Sequence, residues 1–451
     1  MAPMSLEDVN GMPPTTGIEP RSNAPDVPIE LLQLILEAYY PTYVQSHVRG
    51  VAEWDKRCWN RRYFESIHTI ARFRLVNWTW YNSITPHLYS TIVIFCTSEQ
   101  SLKKWLEAIA YHPRLIRNLV FRGYHNLMNK ETINLRTRIF AYLASCFAEC
   151  TNLQQLELAD MHFIIGNLSK GSIHRIFKEI TLSPLSSLSI YTSAPWTVSS
   201  MKSLSNSLRG LSIGNAIQGL RELEIYGTLN DSETQFAPNT FPVPSEMPSL
   251  ERIVIRALPS WIIQKILSRA YCKQHPSSTT HSTGRFYPLR HLSITHVTEY
   301  WEISTLVDSL ASSGVGTHLT SLRLYYLQSH SYIHASEIDA FPFSICGVCP
   351  RLKEFLYYLP CTERWLSGIP PNIEVLGLFV ANQPVLKELR RNAISEYNAF
   401  IEFVQDKERR RGVRKVCVRW EYGGQREDDV DVVQVANASL KAGIAFELGR
   451  L

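Results

Sequence analysis

The sequence predicts an α/β protein: a short all-helical module over residues 27–94, then a curved, irregular repeat solenoid over 95–451 with parallel strands on its concave face and helices behind. Three observations carry this. The pattern apolar-x-x-apolar-x-apolar recurs eleven times from about residue 115 onward, helical periodicities fill many of the gaps, and one densely apolar stretch, "PIELLQLILEAYYP", precedes them all. At 451 residues, with 45% hydrophobic and 19% charged side chains, the chain holds enough apolar material for a large core or two domains.

Residues 1–26 are polar and Pro-rich, so a tail without a core of its own is expected. They lack a basic segment followed by an apolar one, and no later stretch stays apolar for the ~18 residues a membrane span needs. The expectation is a protein of the cytoplasm and/or nucleus with no membrane partner. Nine cysteines in such a chain read as reduced and mostly buried. A net charge of +5 over this length leaves no strong footprint for a polyanion, so no nucleic acid partner is expected.

Fold begins at Val27. As a helix, Pro28–Pro41 places Glu30, Gln33 and Glu37 on one narrow stripe, while Leu31, Leu32, Leu34, Ile35 and other apolar side chains cover most of the remainder. One apolar face can pack on its own domain; the other needs a second partner. The segment "PTYVQSHVRGVAEWDKRCWNRRYFESIHT" (Pro41–Thr69) follows as a long insert at about 41–69. "RFRLVNWTWYNSITPHLYSTIVI" (Arg72–Ile94) then predicts a helix carrying Leu75, Val76, Trp80 and Ile84, a break at Pro86, and a strand leading into the solenoid.

The eleven copies are "IRNLVF" from Ile116, "LQQLEL" from Leu153, "LSSLSI" from Leu185, "LRGLSI" from Leu208, "LRELEI" from Leu220, "LERIVI" from Leu250, "LRHLSI" from Leu289, "LTSLRL" from Leu319, "LKEFLY" from Leu352, "IEVLGL" from Ile373 and "VRKVCV" from Val413. Each supplies a short strand that cannot bury its apolar face alone, so neighbours stack. Helices are expected over Glu131–Cys150, Ser260–Cys272, Trp301–Gly314 and from near Pro384 to the Arg409–Arg411 run. Two gaps, Thr228–Ser249 and Lys273–Pro288, have the Pro, Ser, Thr and Asn content of surface excursions. The basic run "KERRRGVRK" (Lys407–Lys415) reads as a nuclear-import or phosphate-binding patch or, preferably, as the cationic last turn of the long helix with Gly412 at C′.

Stacked parallel strands present a concave sheet of the kind that binds extended macromolecules. The residues just after the hexads are Arg122, Ala159, Tyr191, Gly214, Tyr226, Arg256, Thr295, Tyr325, Tyr358, Phe379 and Arg419; five of these eleven are aromatic, against 11% for the chain. Tyr and Arg concentrate binding energy at interfaces. Tyr191, Tyr226, Arg256, Tyr325, Tyr358 and Phe379 are therefore the candidate target-binding residues; packing within the sheet is the rival reading. Adjoining Glu157, Glu224, Arg323 and Glu354 mix signs and select no ligand class.

Catalytic spacings are missing: there is no G-x-x-x-x-G-K-[ST], G-x-S-x-G or H-E-x-x-H. "CGVC" (Cys346–Cys349) has metal or redox spacing without a second pair, and a buried structural role is favoured. No catalytic residue, metal or cofactor is assigned.

The hexads resemble long, irregular leucine-rich repeats of the ribonuclease-inhibitor style. "VPIELLQLIL" (Val27–Leu36), followed by "RLVNWTWYNSITPHLYSTIVI", resembles an F-box, as found in fungal F-box proteins with leucine-rich repeats. That resemblance implies a non-enzymatic substrate-recognition subunit of an SCF-type ubiquitin ligase. Its helices would dock on a Skp-type adaptor and through it a cullin, and its repeats would bind an unknown target protein. Carried over by position, Pro28, Leu31, Leu32, Ile35, Leu75, Val76 and Trp80 would form the F-box fold or the adaptor contact. The insert from Pro41 departs from the family's short link, and Asn77 stands where the family often has Cys. The rival reading is a repeat scaffold that binds proteins without a role in ubiquitination.

Overall fold

The computed structural model describes residues 28, 30–32, 34, 65–76, 78–95, 105, 107, 109–122, 149–159, 185–195, 219–228, 247–256, 258, 260–270, 272–273, 285–286, 288–295, 301–325, 343–357, 366–380, 398–420 and 430–450. The tail 1–26, the copy from Leu208, most of the expected 131–150 helix and the excursion 229–246 lie outside them. The chain divides into two compact units, one of residues 1–48, 52–193 and 202–216, the other of 49–51, 194–201 and 217–451.

In the first unit a small helical core forms from sequence-distant pieces. Leu32, among the helical residues 30–32 and 34, Ile70, from a helix over 65–73, and Ile84, from α1 (Trp78–Ser90), are fully buried together, with Phe73, Trp80 and Leu88 packed against them. Residues 65–69 thus belong to a helix rather than to the insert. The expected break at Pro86 does not occur: Pro86 lies inside α1, and the chain turns at 74–76, where Leu75 and Val76 donate to the carbonyls of Arg72 and Phe73. Pro86 forfeits one backbone bond, but Thr85 Oγ1 donates to the Tyr81 carbonyl at 2.6 Å and supports the same turn.

α1 runs directly into β1 (Thr91–Phe95), which pairs in parallel with β2 (Asn118–Arg122); β2 pairs with β3 (Gln155–Ala159), and β3 with β4 (Ser187–Pro195). In the second unit eight described strands pair in parallel, in the order β5 (Glu222–Thr228), β6 (Arg252–Arg256), β9 (His291–Thr295), β10 (Ser321–Tyr325), β11 (Glu354–Tyr357), β12 (Val375–Val380), β13 (Lys415–Trp420) and β14 (Ala445–Arg450). β7 (Cys272–Lys273) and β8 (Arg285–Phe286) form an antiparallel ribbon that closes the second excursion.

All ten hexads within the described residues become strands beginning at their third position, or two residues beyond the first apolar one. Two hydrogen-bond habits explain the common start. The first-position N–H bonds a carbonyl three residues back, as from Leu153 to Cys150, Leu319 to Gly316 and Ile373 to Pro370, each at 3.2 Å, which turns the chain into the strand. The second-position carbonyl then accepts two N–H groups from the next copy: Gln154 and Gln155 donate to Arg117, Glu251 and Arg252 to Arg221, and Lys353 and Glu354 to Thr320. Fourth and sixth positions point into the core and are buried almost throughout. β14 escapes the hexad count because its register against β13 puts Gly443 where other copies have an apolar first residue.

The helices follow their apolar periodicity. α2 (Ser260–Leu267) buries Ile262, Ile263, Ile266 and Leu267, and α3 (Trp301–Ser313) buries Leu306 and Leu310 before ending at Gly314 with φ 75°. The expected long helix into the Arg run is interrupted. A helix over 398–405 stops at Asp406, which caps the separate one-turn helix α4 (Lys407–Arg410); its Oδ1 accepts from the N–H groups of Glu408 and Arg409. Gly412 is not a left-handed cap. Its role is close approach, since a Cβ there would lie 2.3 Å from the Pro371 carbonyl oxygen. α5 (Val430–Lys441) packs Val432, Val435 and Ala438 inward ahead of β14.

Candidate functional site

On the strands, third, fifth and seventh hexad positions share the face opposite the core. In the first unit the fifth-position residues Val120, Glu157 and Ser189 stand side by side in register and are buried, Glu157 to 3% exposure. In the second, Val254, Ser293, Leu356 and Cys417 are likewise buried, while Glu224, Arg323 and Glu447 are partly open. The centre of the face is therefore far less open than a bare concave sheet.

Of the seventh-position candidates, Tyr191 and Arg256 are half-buried, and Tyr226 is buried to 4% exposure in register with Arg256. Tyr226 offers little free surface and behaves as sheet packing, the rival reading. Tyr325 and Phe379 hold the expected register positions in β10 and β12, beside Thr295 and Arg419 respectively; Tyr358 lies outside the described residues.

In the second unit, third positions are among the more open of the described residues on this face: Arg252 and His291 are exposed and Glu222, Glu354 and Lys415 half-buried, although Ser321 is buried. Arg252, on β6, reaches Glu222 and Glu224 of β5, each at 4.0 Å. Arg323 Nε donates to Glu354 Oε1 at 2.6 Å, and Lys415 pairs with Glu447 on the next strand. His291 stands between Arg252 and Ser321 in the same row. Burial lowers its pKa; Glu354 opposes this, and Arg252 and Arg323 add to it. Third positions are polar in nearly every copy, and that alternation was the available signal for Glu222, Arg252, His291 and Lys415.

A second site lies on the helical core of the first unit. Leu32 is fully buried, whereas Leu31 and Leu34 are 52% and 59% exposed, Leu75 is 73% exposed and Trp78 is 66% exposed. Trp78 stacks flat on Tyr81, centroids 5.0 Å apart at 2°, and the Arg74 guanidinium lies 5.3 Å from the Tyr81 ring. Trp80 instead packs inward, edge-on to Phe73 at 5.6 Å. Of the residues expected here, Pro28, Leu31 and Leu75 are exposed, Val76 and Trp80 are half-buried, Leu32 belongs to the core and Ile35 lies outside the described residues. Trp78 was missed because the Val76–Trp80 spacing drew attention to its neighbour.

Cys346 Sγ donates to the Gly368 carbonyl at 3.2 Å, and burial pushes the Cys346 and Cys349 thiols up to about 11 and about 12. Such thiols are poor nucleophiles, in keeping with a structural role. Among the described residues no helix is long and apolar enough to cross a membrane. The chain matches no protein-family model and no curated protein.

Proposed function

We propose that the protein is a non-enzymatic bridging receptor: its helical module docks on a Skp-type adaptor, and through it a cullin, while its repeat strands hold a target protein for ubiquitination. The observation that carries this reading is the set Leu31, Leu34, Leu75 and Trp78, large apolar side chains left in water around the small core of Leu32, Ile70 and Ile84. Exposed large apolar side chains of this kind, paired at i, i+3 spacing on each of two segments (Leu31 with Leu34, Leu75 with Trp78), support an interaction surface, and an exposed Trp is a residue type such surfaces use as an anchor. Proximity is then the mechanism. Two binding surfaces on one chain raise the effective concentration of the target near a ubiquitin-charged enzyme without a catalytic group of their own.

Co-purification tests it. Tagged full-length protein should retain the adaptor, and Leu31→Ala with Trp78→Ala should reduce recovery at least about tenfold while the melting temperature stays unchanged, because both side chains are largely exposed. Equal recovery with the variant, or none with the wild type, removes the ligase assignment and leaves a repeat scaffold.

A further inference from the structure

The basic run 407–415 is not absorbed by the adaptor surface or by the rim of ion pairs. It folds into α4, the turn Arg411–Gly412 and the start of β13, next to the turn between α5 and β14: Arg410 Nη2 donates to the Ala442 carbonyl and the Ala445 N–H to the Arg414 carbonyl, each at 3.0 Å. Lys407, Arg409, Arg411, Arg414 and Lys441 are all exposed there. Two nearby carboxylates are engaged. Asp406 caps α4, and Glu374 is held by Lys353 at 2.9 Å.

Backbone geometry adds an independent sign. Arg411 has φ 28°, the one positive value at a non-glycine among the described residues. Gly would occupy such a position with less strain. The turn's glycine is instead at 412, where the Pro371 carbonyl leaves no room for a Cβ. Arg411 is exposed and its Nε donates to the Glu408 carbonyl, so packing gives no reason for arginine at a strained position. Strained positions of this kind cluster at ligand-binding sites.

We propose that this patch binds an acidic peptide segment, rich in Asp and Glu, of a partner protein. Charge complementarity selects that ligand. A partner that reads an extended basic chain is excluded, because the run is held as helix, turn and strand. A nucleic acid is the rival polyanion and fits less well, since a net charge of +5 over 451 residues leaves no broad basic face for a continuous phosphate backbone. The inference does not depend on adaptor docking.

The test is fluorescence anisotropy of a labelled octa-glutamate peptide titrated with the full chain at about 50 mM and about 200 mM salt. The wild type should bind, more weakly at the higher salt. Lys407→Gln with Arg411→Gly and Arg414→Gln should weaken binding at least about tenfold, whereas Arg114→Gln with Arg117→Gln and Arg221→Gln, an equal charge loss at other exposed positions, should leave it unchanged. Arg411→Gly alone should weaken binding about threefold while the melting temperature holds or rises. The proposal is overturned by absent binding, by equal weakening in the control variant, or by tighter binding of a single-stranded oligonucleotide of equal charge. Arg411→Gly with unchanged affinity and a lowered melting temperature overturns it too.

Discussion

At the residue scale, the sheet of the second unit is decided by which side chain has room beside which. Gly377 of β12 lies in register with Leu356 of β11, and a Cβ on Gly377 would meet Leu356 Cδ2 at 2.0 Å and its Cβ at 2.9 Å. The leucine fills its neighbour's side-chain site, so Gly377→Ala should destabilise the protein by about 1–3 kcal/mol in urea melts, as overpacking does. Combining it with Leu356→Ala should cost clearly less than the sum of the two single changes; strict additivity would show that the two sites are not in conflict. In the sequence Gly377 is one more glycine in a strand pattern, and nothing in "IEVLGL" announces the leucine beside it. Arg411 is likewise illegible in the sequence: nothing in "KERRRGVRK" announces that its φ is 28° while the neighbouring Gly412 has no room for a Cβ.

At the element scale, strands were more legible than helix ends. The hexad announces each strand because its first, fourth and sixth residues must be apolar whatever the neighbours are, and its hydrogen bonds are local or reach only the adjacent copy. Helix termini depend on a single competing group. Pro86 failed to stop α1, and Asp406 stopped the helix whose last turn the Arg run was expected to form. Asp406→Ala should remove both cap bonds and cost about 1 kcal/mol, read as a lower urea midpoint; an unchanged midpoint would mean that α4 contributes nothing to the cooperative fold. The candidate site divides the same way. Leu31 and Leu75 were assigned through the F-box resemblance, by position, whereas Trp78 was distinguishable from Trp80 only with Phe73 holding the latter inside.

At the scale of the whole molecule, mild acidification should loosen the fold through its histidines. Burial lowers the pKa of His112, His291 and His318; nearby arginines assist, Arg74 for the first and Arg290 and Arg351 for the third, while at His291 Glu354 opposes Arg252 and Arg323. With folded values below the unfolded one near 6.5, the unfolded chain binds more protons between the two. Stability therefore rises with pH through that window, is complete above it, and is lost as pH falls through about 6.5 towards the folded values. The urea midpoint should drop between about pH 7.5 and about pH 5.5, and a His112→Gln, His291→Gln, His318→Gln variant should show a smaller drop. An equal drop in the variant would place the sensitivity elsewhere. By itself the sequence determined the repeat, the parallel strands and the apolar excess of the first helix, because periodic burial requirements are written in consecutive residues. Tertiary structure alone decided that Tyr226 is packed rather than presented, that Arg252 and His291 at third positions are exposed, and that Leu31 and Trp78 remain in water, because exposure depends on what distant segments bring alongside.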